Sequence, residues 1–386
     1  MKPIKVAVDA SRIRSGGGVA HLLGILAIDD PAHFGIDRIH VWAYQKLLDG
    51  LPNQSWLIKH HPPALEQSLV HQLYWQEVKL TREVKQAGCD ILFSADASTV
   101  CRFTPMVVLN QNLLAYDQGT LALFGWGKDR IQQTLMYFVQ RLAFRAAAGS
   151  IFLTQHAAKQ VQRRVGQLPN TICIPHGVAE VFKQTAHTKA TWPTSGERPV
   201  RCLYVSPIFE YKHQFEVVQA IKALRDQGVN IELTIAGGGG RRAIKILENL
   251  LAELDPLRRF VKVLDFIPNA DIARLIAEAD LFVFASSCET FGIALLEAMT
   301  IGVPIACSNR SSLPDTLQDG GEYFDPQDPN SIAQAIDRLI KDPGKRVQLA
   351  LRAKALAAQY SWPRCAQETW QFIVQTYRDQ SFKAST

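Results

Sequence analysis

DLFVFASSCETFGIALLEAMTIGVPIACS, residues 280–308, reads as a buried strand, a polar turn, a helix beginning near Gly292, and a Gly-x-Pro step into another strand. Both strand runs are uniformly apolar, as strands covered on two faces are, and a helix between two such strands makes a parallel crossover. The same alternation extends outward: KVAVDA, HVWAY, WLIKH, DILFS, MVVLN, SIFLT and TICIP in the first half, RCLYVS, ELTIAG and VKVLDF in the second. A chain of 386 residues with 47% hydrophobic residues exceeds what one core usually fills. The predicted architecture is α/β, with two doubly wound parallel-sheet domains facing a central cleft. Gln184 to Pro199, rich in Thr, Pro, Gly and Ser and without apolar period, separates them. The expected divisions are residues 1–185, a linker at 186–199, a second domain at 200–361, and a tail at 362–386. In the tail, Trp370, Ile373, Val374 and Tyr377 have the spacing of a helix that either returns to the first domain or closes the second core.

Composition narrows the setting. The seven cysteines are scattered and contain no C-x-x-C pair, as expected of packed thiols in a reducing compartment. MKPIKVAVDA lacks the apolar core of a signal peptide, and no apolar run is long enough to span a bilayer. A cytoplasmic protein is expected, with attachment to the inner face of a membrane as a further option. The net charge of +6 is concentrated: residues 1–190 hold 20 Lys/Arg against 13 Asp/Glu, and residues 191–386 hold 22 against 23. A basic half suits an anionic membrane surface, a phosphorylated acceptor or nucleic acid, yet its cations are dispersed as on an ordinary solvated surface. No nucleic-acid partner is expected. WGKDRIQQTLMYFVQRLAFR, residues 126–145, mixes aromatics with arginine and reads either as a membrane-surface helix or as a core helix with charged ends.

The chemistry concentrates in the opening segment, because ligands of open α/β sheets gather at the carboxyl ends of strands. Glu289 lies in the turn and Glu297 inside the helix, eight residues on, roughly 12 Å away at helical rise. That is about the span from a hexose to a ribose across a diphosphate. Between them, the free N–H groups of Phe291, Gly292 and Ile293 at a helix N-terminus make an anion site. Taken singly, Glu289 would pass for a carboxylate facing the helix dipole and Glu297 for a solvated helix residue. Glu297, however, sits between Leu296 and Ala298 on a nearly all-apolar helix, where a carboxylate needs a partner or a ligand.

ETFGIALLEAMTIGVP resembles without a gap the E-x-F-G-x-x-x-x-E-A-M-x-x-G-x-P signature of the family 4 retaining glycosyltransferases, whose fold is GT-B, a pair of Rossmann-like domains. YVSPIFEYKH, which includes Ser206, TIAGGGG, VLDFIPNADIARLIAEADLFVFAS and GGEYFDPQDPNSIAQAI extend the resemblance over nearly all of the C-terminal half. It implies that Glu289 contacts the transferred sugar, that Glu297 binds ribose hydroxyls, and that Lys212 neutralises the donor pyrophosphate. Thr290, Phe291, Gly292 and Ile293 then line the donor site, and backbone near Ile267 reads the base. The family's Arg five residues before the Lys is Pro207 here, which leaves Arg241, Arg242 or an N-terminal Arg as substitutes.

The N-terminal half matches in short pieces. DASRIRSGGGVAHLL resembles the glycine-rich loop that packs on donor phosphates, with Gly16, Gly17 and Gly18 in the loop and a helix from near Val19; a plain turn has the same look. VVLNQNLLAYD aligns with a strand that ends in an active-site His, a position taken here by Asn110 or Gln111. His156, in TQHAAK, reads as a capping or cleft residue. His176, in IPHGV, replaces the Asn of an N-G-V loop and reads as structural. No Asp-x-Asp motif ends a strand and no His/Cys cluster has ligand spacing, so neither metal nor cofactor is expected. The implied activity is transfer of a hexose, with retention, from a UDP- or GDP-sugar to a saccharide or lipid-linked acceptor in surface polysaccharide or glycolipid synthesis. A nucleotide-sugar epimerase and a degenerate nucleotide-sugar binder are the alternatives.

Overall fold

The computed structural model describes residues 2–14, 16–123, 127–187, 192–193 and 198–385. The chain forms two compact units. The first takes in Met1–Leu121, Gly125–Gly177 and Tyr360–Thr386, and the second centres on Val178–Gln359.

In the first unit the strands are β1 (Ile4–Asp9), β2 (Ile36–Trp42), β3 (Leu57–His60), β4 (Ile91–Ser94), β5 (Met106–Leu109), β6 (Gly149–Phe152) and β7 (Thr171–Cys173). They pair in parallel in the order β3-β2-β1-β4-β5-β6-β7. Strands β4, β5 and β6 are buried along their whole length, which is why their sequences show no alternation. The helices used below are α1 (Gly16–Leu26), α2 (Leu69–Tyr74), α3 (Leu80–Gln86), α4 (Lys128–Ala146) and α5 (Gln155–Val165), with a π-helical turn at Trp75–Lys79 joining α2 to α3. Right-handed crossovers place α1 on one face of this sheet and α2, α3, α4 and α5 on the other.

The second unit repeats the plan with β8 (Val200–Val205), β9 (Ile231–Ala236), β10 (Val261–Leu264), β11 (Leu281–Phe284), β12 (Ile305–Ser308) and β13 (Glu322–Phe324), parallel in the order β10-β9-β8-β11-β12-β13. Its helices include α6 (Glu180–Gln184), α7 (Arg241–Leu254), α8 (Asn269–Glu278) and α9 (Ile293–Ile301). In each sheet the winding reverses beside the first strand, between β1 and β4 and between β8 and β11. In open α/β sheets, ligands bind at the loops leaving strands on either side of such a switch point.

Two predicted divisions shift. The first unit ends at Gly177, not at residue 185, because α6 packs on α8 and α9 with Phe182 fully buried. The segment drawn as a linker is held to the second unit where it is described. The Arg346 guanidinium lies 3.6 Å from the centre of the Trp192 ring, and Arg198 grips the buried Asp280 through both of its terminal nitrogens. Residues 188–191 and 194–197 of that segment lie outside the described residues. The last helix, α10 (Trp362–Ser385), belongs to the first unit. Trp370 Nε1 donates to the Ile25 carbonyl at 2.7 Å, and Asn170 Nδ2 donates to Thr376 Oγ1 at 3.1 Å.

Candidate functional site

Strand β8 runs out through Ser206, Pro207 and Ile208, which lie flat along Gly237–Gly240: Ile208 N donates to the Gly238 carbonyl at 2.8 Å and Gly240 N to the Ile208 carbonyl at 3.2 Å. Glycine is required there, since a side chain at Gly237 (φ +139°) would start 2.5 Å from the Ser206 carbonyl oxygen. Ser206 is buried and turns its hydroxyl to the Pro207 carbonyl. The chain then closes a 3₁₀ turn, Glu210–Lys212, whose last carbonyl accepts from the buried Tyr204 hydroxyl. Strand β11 is the neighbour of β8, so the two loops meet: Ser287 N donates to the Tyr211 carbonyl at 2.9 Å.

That meeting brings Lys212 Nζ onto Glu289 Oε1 in an ion pair whose side chains are only 10% and 16% exposed. Burial works against the Lys212 ammonium, but the Glu289 carboxylate outweighs it and holds the pKa above the ordinary lysine value. The rings of Tyr211 and Phe284 lie 5.1 Å and 5.9 Å from the ammonium. Glu289 is fixed from below by Ser311, which accepts from its backbone N–H and donates to its carbonyl, both at 2.9 Å. Thr316 Oγ1 donates to the Phe291 carbonyl at 2.9 Å. The half-buried Thr290 and the buried Phe291 are thus held in a rigid turn.

Helix α9 starts at Ile293, with Gly292 as its N-cap at φ +86°, a left-handed conformation in which a side chain would also meet Leu313 at 2.8 Å. Glu297 stands just over one turn inside, half-buried, and no described residue pairs with its carboxyl. Burial alone pushes its pKa up to about 8. A carboxyl carried into an apolar helix without a partner is stable only as the neutral acid, or as the anion when hydroxyl or N–H donors arrive.

Of the substitutes for the missing Arg, Arg242 places Nε 3.5 Å from Glu210, two residues before Lys212, while Arg241 is exposed at the start of α7. Ile267 is half-buried in the loop after β10, next to Phe266, which is 84% exposed. The sequence reading passed over Phe266, Ser311 and Thr316. The signal for all three is their place after the carboxyl ends of β10 and β12, Phe266 and Ser311 in the loops and Thr316 in the short helix Leu313–Leu317.

In the first unit, the glycines expected in a loop form the first turn of α1, which begins at Gly16 rather than near Val19. Glycine costs least in a first turn, where N–H groups have no intrahelical partner in any case. A side chain on Gly17 would start 3.8 Å from His176 Nε2, and one on Gly18 3.9 Å from Gln111 Nε2. Gln111 Nε2 is buried and has no hydrogen-bond partner among the described residues, which leaves a donor beside the glycine turn. Asn110 instead is fully buried and donates to Asn112 O, a loop-building role. His176 is buried against His21, with the two Nδ1 atoms 3.1 Å apart and the Trp362 ring alongside. Burial holds both imidazoles neutral, His21 at about 3 and His176 well below its ordinary value. His156 does not cap α5. Thr154 does, its hydroxyl accepting from Ala157 N at 3.1 Å, because Thr154 alone has the extended backbone of an N-cap.

Residues 192–356 match the family described as Glycosyl transferases group 1. Over that segment the chain is similar to this family. The segment contains Lys212, Glu289 and Glu297. O-antigen chain mannosyltransferase B of Escherichia coli is 37% identical over 31% of this chain, and the chain spans only 31% of that protein's length. Alpha-D-kanosaminyltransferase of Streptomyces kanamyceticus is 29% identical over 67% of each chain. The fold extends over the whole: Anabaena Alr3699/HepE, solved in complex with UDP and glucose, has a TM-score of 0.70 at 19% identity, covering 95% of this chain and 98% of that one. The architecture is GT-B.

Proposed function

We propose that this chain transfers a hexose, with retention at the anomeric carbon, from a UDP- or GDP-sugar to a saccharide or lipid-linked saccharide acceptor in polysaccharide or glycolipid synthesis. The observation that carries the reading is the buried Lys212–Glu289 pair at the switch point of the family-matched unit, with the unpaired Glu297 carboxyl one helix turn beyond. A diphosphate entering there takes Lys212 as its counter-ion and the N–H groups at the start of α9 as donors, and Glu289, released from the lysine, turns to the sugar. Ribose hydroxyls donate to Glu297. With leaving-group charge met in this way, a divalent ion is not needed. Relatives named as a mannosyltransferase and a kanosaminyltransferase, and the UDP complex of a fold neighbour, support a nucleotide-activated hexose as donor.

The test is incubation of the pure chain with a panel of UDP- and GDP-hexoses and saccharide acceptors, with and without EDTA, following nucleotide release and the anomeric proton coupling of the product. Transfer with a retained anomer in EDTA supports the reading. An inverted product or EDTA-sensitive release contradicts it, and nucleotide binding without turnover favours the degenerate binder.

A further inference from the structure

Helix α4 carries an apolar face that the rest of the first unit leaves uncovered. Ile131, Leu135, Phe138 and Leu142 are 63%, 62%, 52% and 70% exposed, and at helical spacing they fall within one narrow stripe. The opposite side of the helix supplies its core contacts through Ala143 and Phe144, so α4 is held in place by one face and offers the other. A second exposed run, Leu69, Val70, Tyr74 and Val78, follows α2 and the π-helical turn on the same side of the sheet. The Ser98–Val100 loop joins the two helical regions: Gln140 Nε2 donates to Ser98 Oγ at 3.0 Å, and Val100 N donates to Gln76 Oε1 at 3.2 Å. Stripes of this size on adjacent elements mark an interaction surface rather than scattered surface apolar residues.

The charge around the stripe selects the partner. Helix α4 contains four basic residues and one acidic, and the adjoining α5 contains three basic and none acidic. Arg145 is exposed on α4, and Lys159, Arg163 and Arg164 are exposed on α5. Beside the two helices a cavity of about 280 Å³ is lined by Arg130, Thr134, Tyr137 and Arg164 together with Ala115 and Leu121. A second copy of the chain seated on this surface through a two-fold contact would bring these cations against their own kind. A planar surface with an apolar interior and an anionic edge meets both halves of the pattern: the stripe enters the acyl boundary and the cations reach the phosphates.

We infer that the α4–α5 face of the first unit is a peripheral docking surface for anionic phospholipid membranes, with Ile131, Leu135, Phe138 and Leu142 inserting and the cations of α4 and α5 meeting the headgroups. No helix among the described residues is long and apolar enough to cross a membrane, so attachment through this face is interfacial. The inference rests on the first unit alone and is independent of the reading of the donor site.

Flotation of the full chain with vesicles of phosphatidylcholine, with and without phosphatidylglycerol, tests it. The wild type should float with the anionic vesicles only and be released by salt. Leu135→Asp with Phe138→Asp should lower the partition coefficient on the order of tenfold or more. Arg163→Ala with Arg164→Ala should lower it roughly twenty-five-fold, at about fivefold per cation. Leu351→Asp, at an exposed leucine of the second unit, should leave it unchanged. Circular dichroism checks that each variant is folded, and the arginine pair tests the surface without placing charge on α4. A wild type that stays soluble with both vesicles, or one whose stripe instead forms a concentration-dependent dimer abolished by Leu135→Asp, would overturn the inference.

Discussion

Replacing Glu297 by Gln should make the protein more stable while impairing it. Burial raises the carboxyl from an ordinary 4.5 to about 8. Between those two values the folded chain keeps a proton that the unfolded chain has lost, so stability falls as pH rises through the window. The penalty is absent below the lower value and complete above the upper one. At about 1.4 kcal/mol per unit, the whole shift amounts to about 5 kcal/mol, of which about 3 kcal/mol is already felt at neutral pH. Glutamine has nearly the same volume and no charge to bury. Urea unfolding from about pH 5 to about pH 8.5 should show the variant gaining on the wild type by about 1.4 kcal/mol per pH unit, with the curves meeting at the acid end. Curves that stay parallel across the window would refute the claim that an unpaired carboxyl is buried at this point in α9.

The same carboxyl should make nucleotide affinity of the wild type rise by up to about tenfold per pH unit below its pKa, because hydroxyl donors favour the anion; titration calorimetry with UDP and GDP should find this slope gone in Glu297→Gln. Gly292→Ala forces a side chain into a left-handed cap and against Leu313, and should cost about 2 to 4 kcal/mol, read from the urea midpoint. Asp280→Ala leaves Arg198 and Arg201 without their shared carboxylate and should cost about 2 kcal/mol or more by the same measurement; a loss within experimental error would show that the pair does not anchor the segment before β8.

Much of this was legible from residue patterns. Uniformly apolar strands such as MVVL and LFVF predict a doubly buried parallel sheet because no polar face has to be provided for, and both sheets have that form. Glu297 was marked by its apolar neighbours, and its raised pKa is the same fact expressed as solvation. The pairing of Lys212 with Glu289 was not legible. The two residues are 77 positions apart, and only the placement of β8 beside β11 brings their loops together. Nor does the sequence distinguish the stripe on α4 from a core face: Ile131, Leu135, Phe138 and Leu142 have core spacing, and exposure depends on what the rest of the chain leaves uncovered. The domain edge moved for a similar reason, since the short α6 carries one large apolar residue, Phe182, and joins whichever core receives it.

The central claim is that Lys212 and Glu289 handle the two ends of a nucleotide sugar. Its most direct test is single-turnover release of nucleotide from the preferred donor by the wild type, Lys212→Met and Glu289→Gln, each confirmed as folded. Each substitution should slow release by about a hundredfold to a thousandfold, with nucleotide affinity weakened in Lys212→Met and little changed in Glu289→Gln. Wild-type rates in either variant would contradict the account.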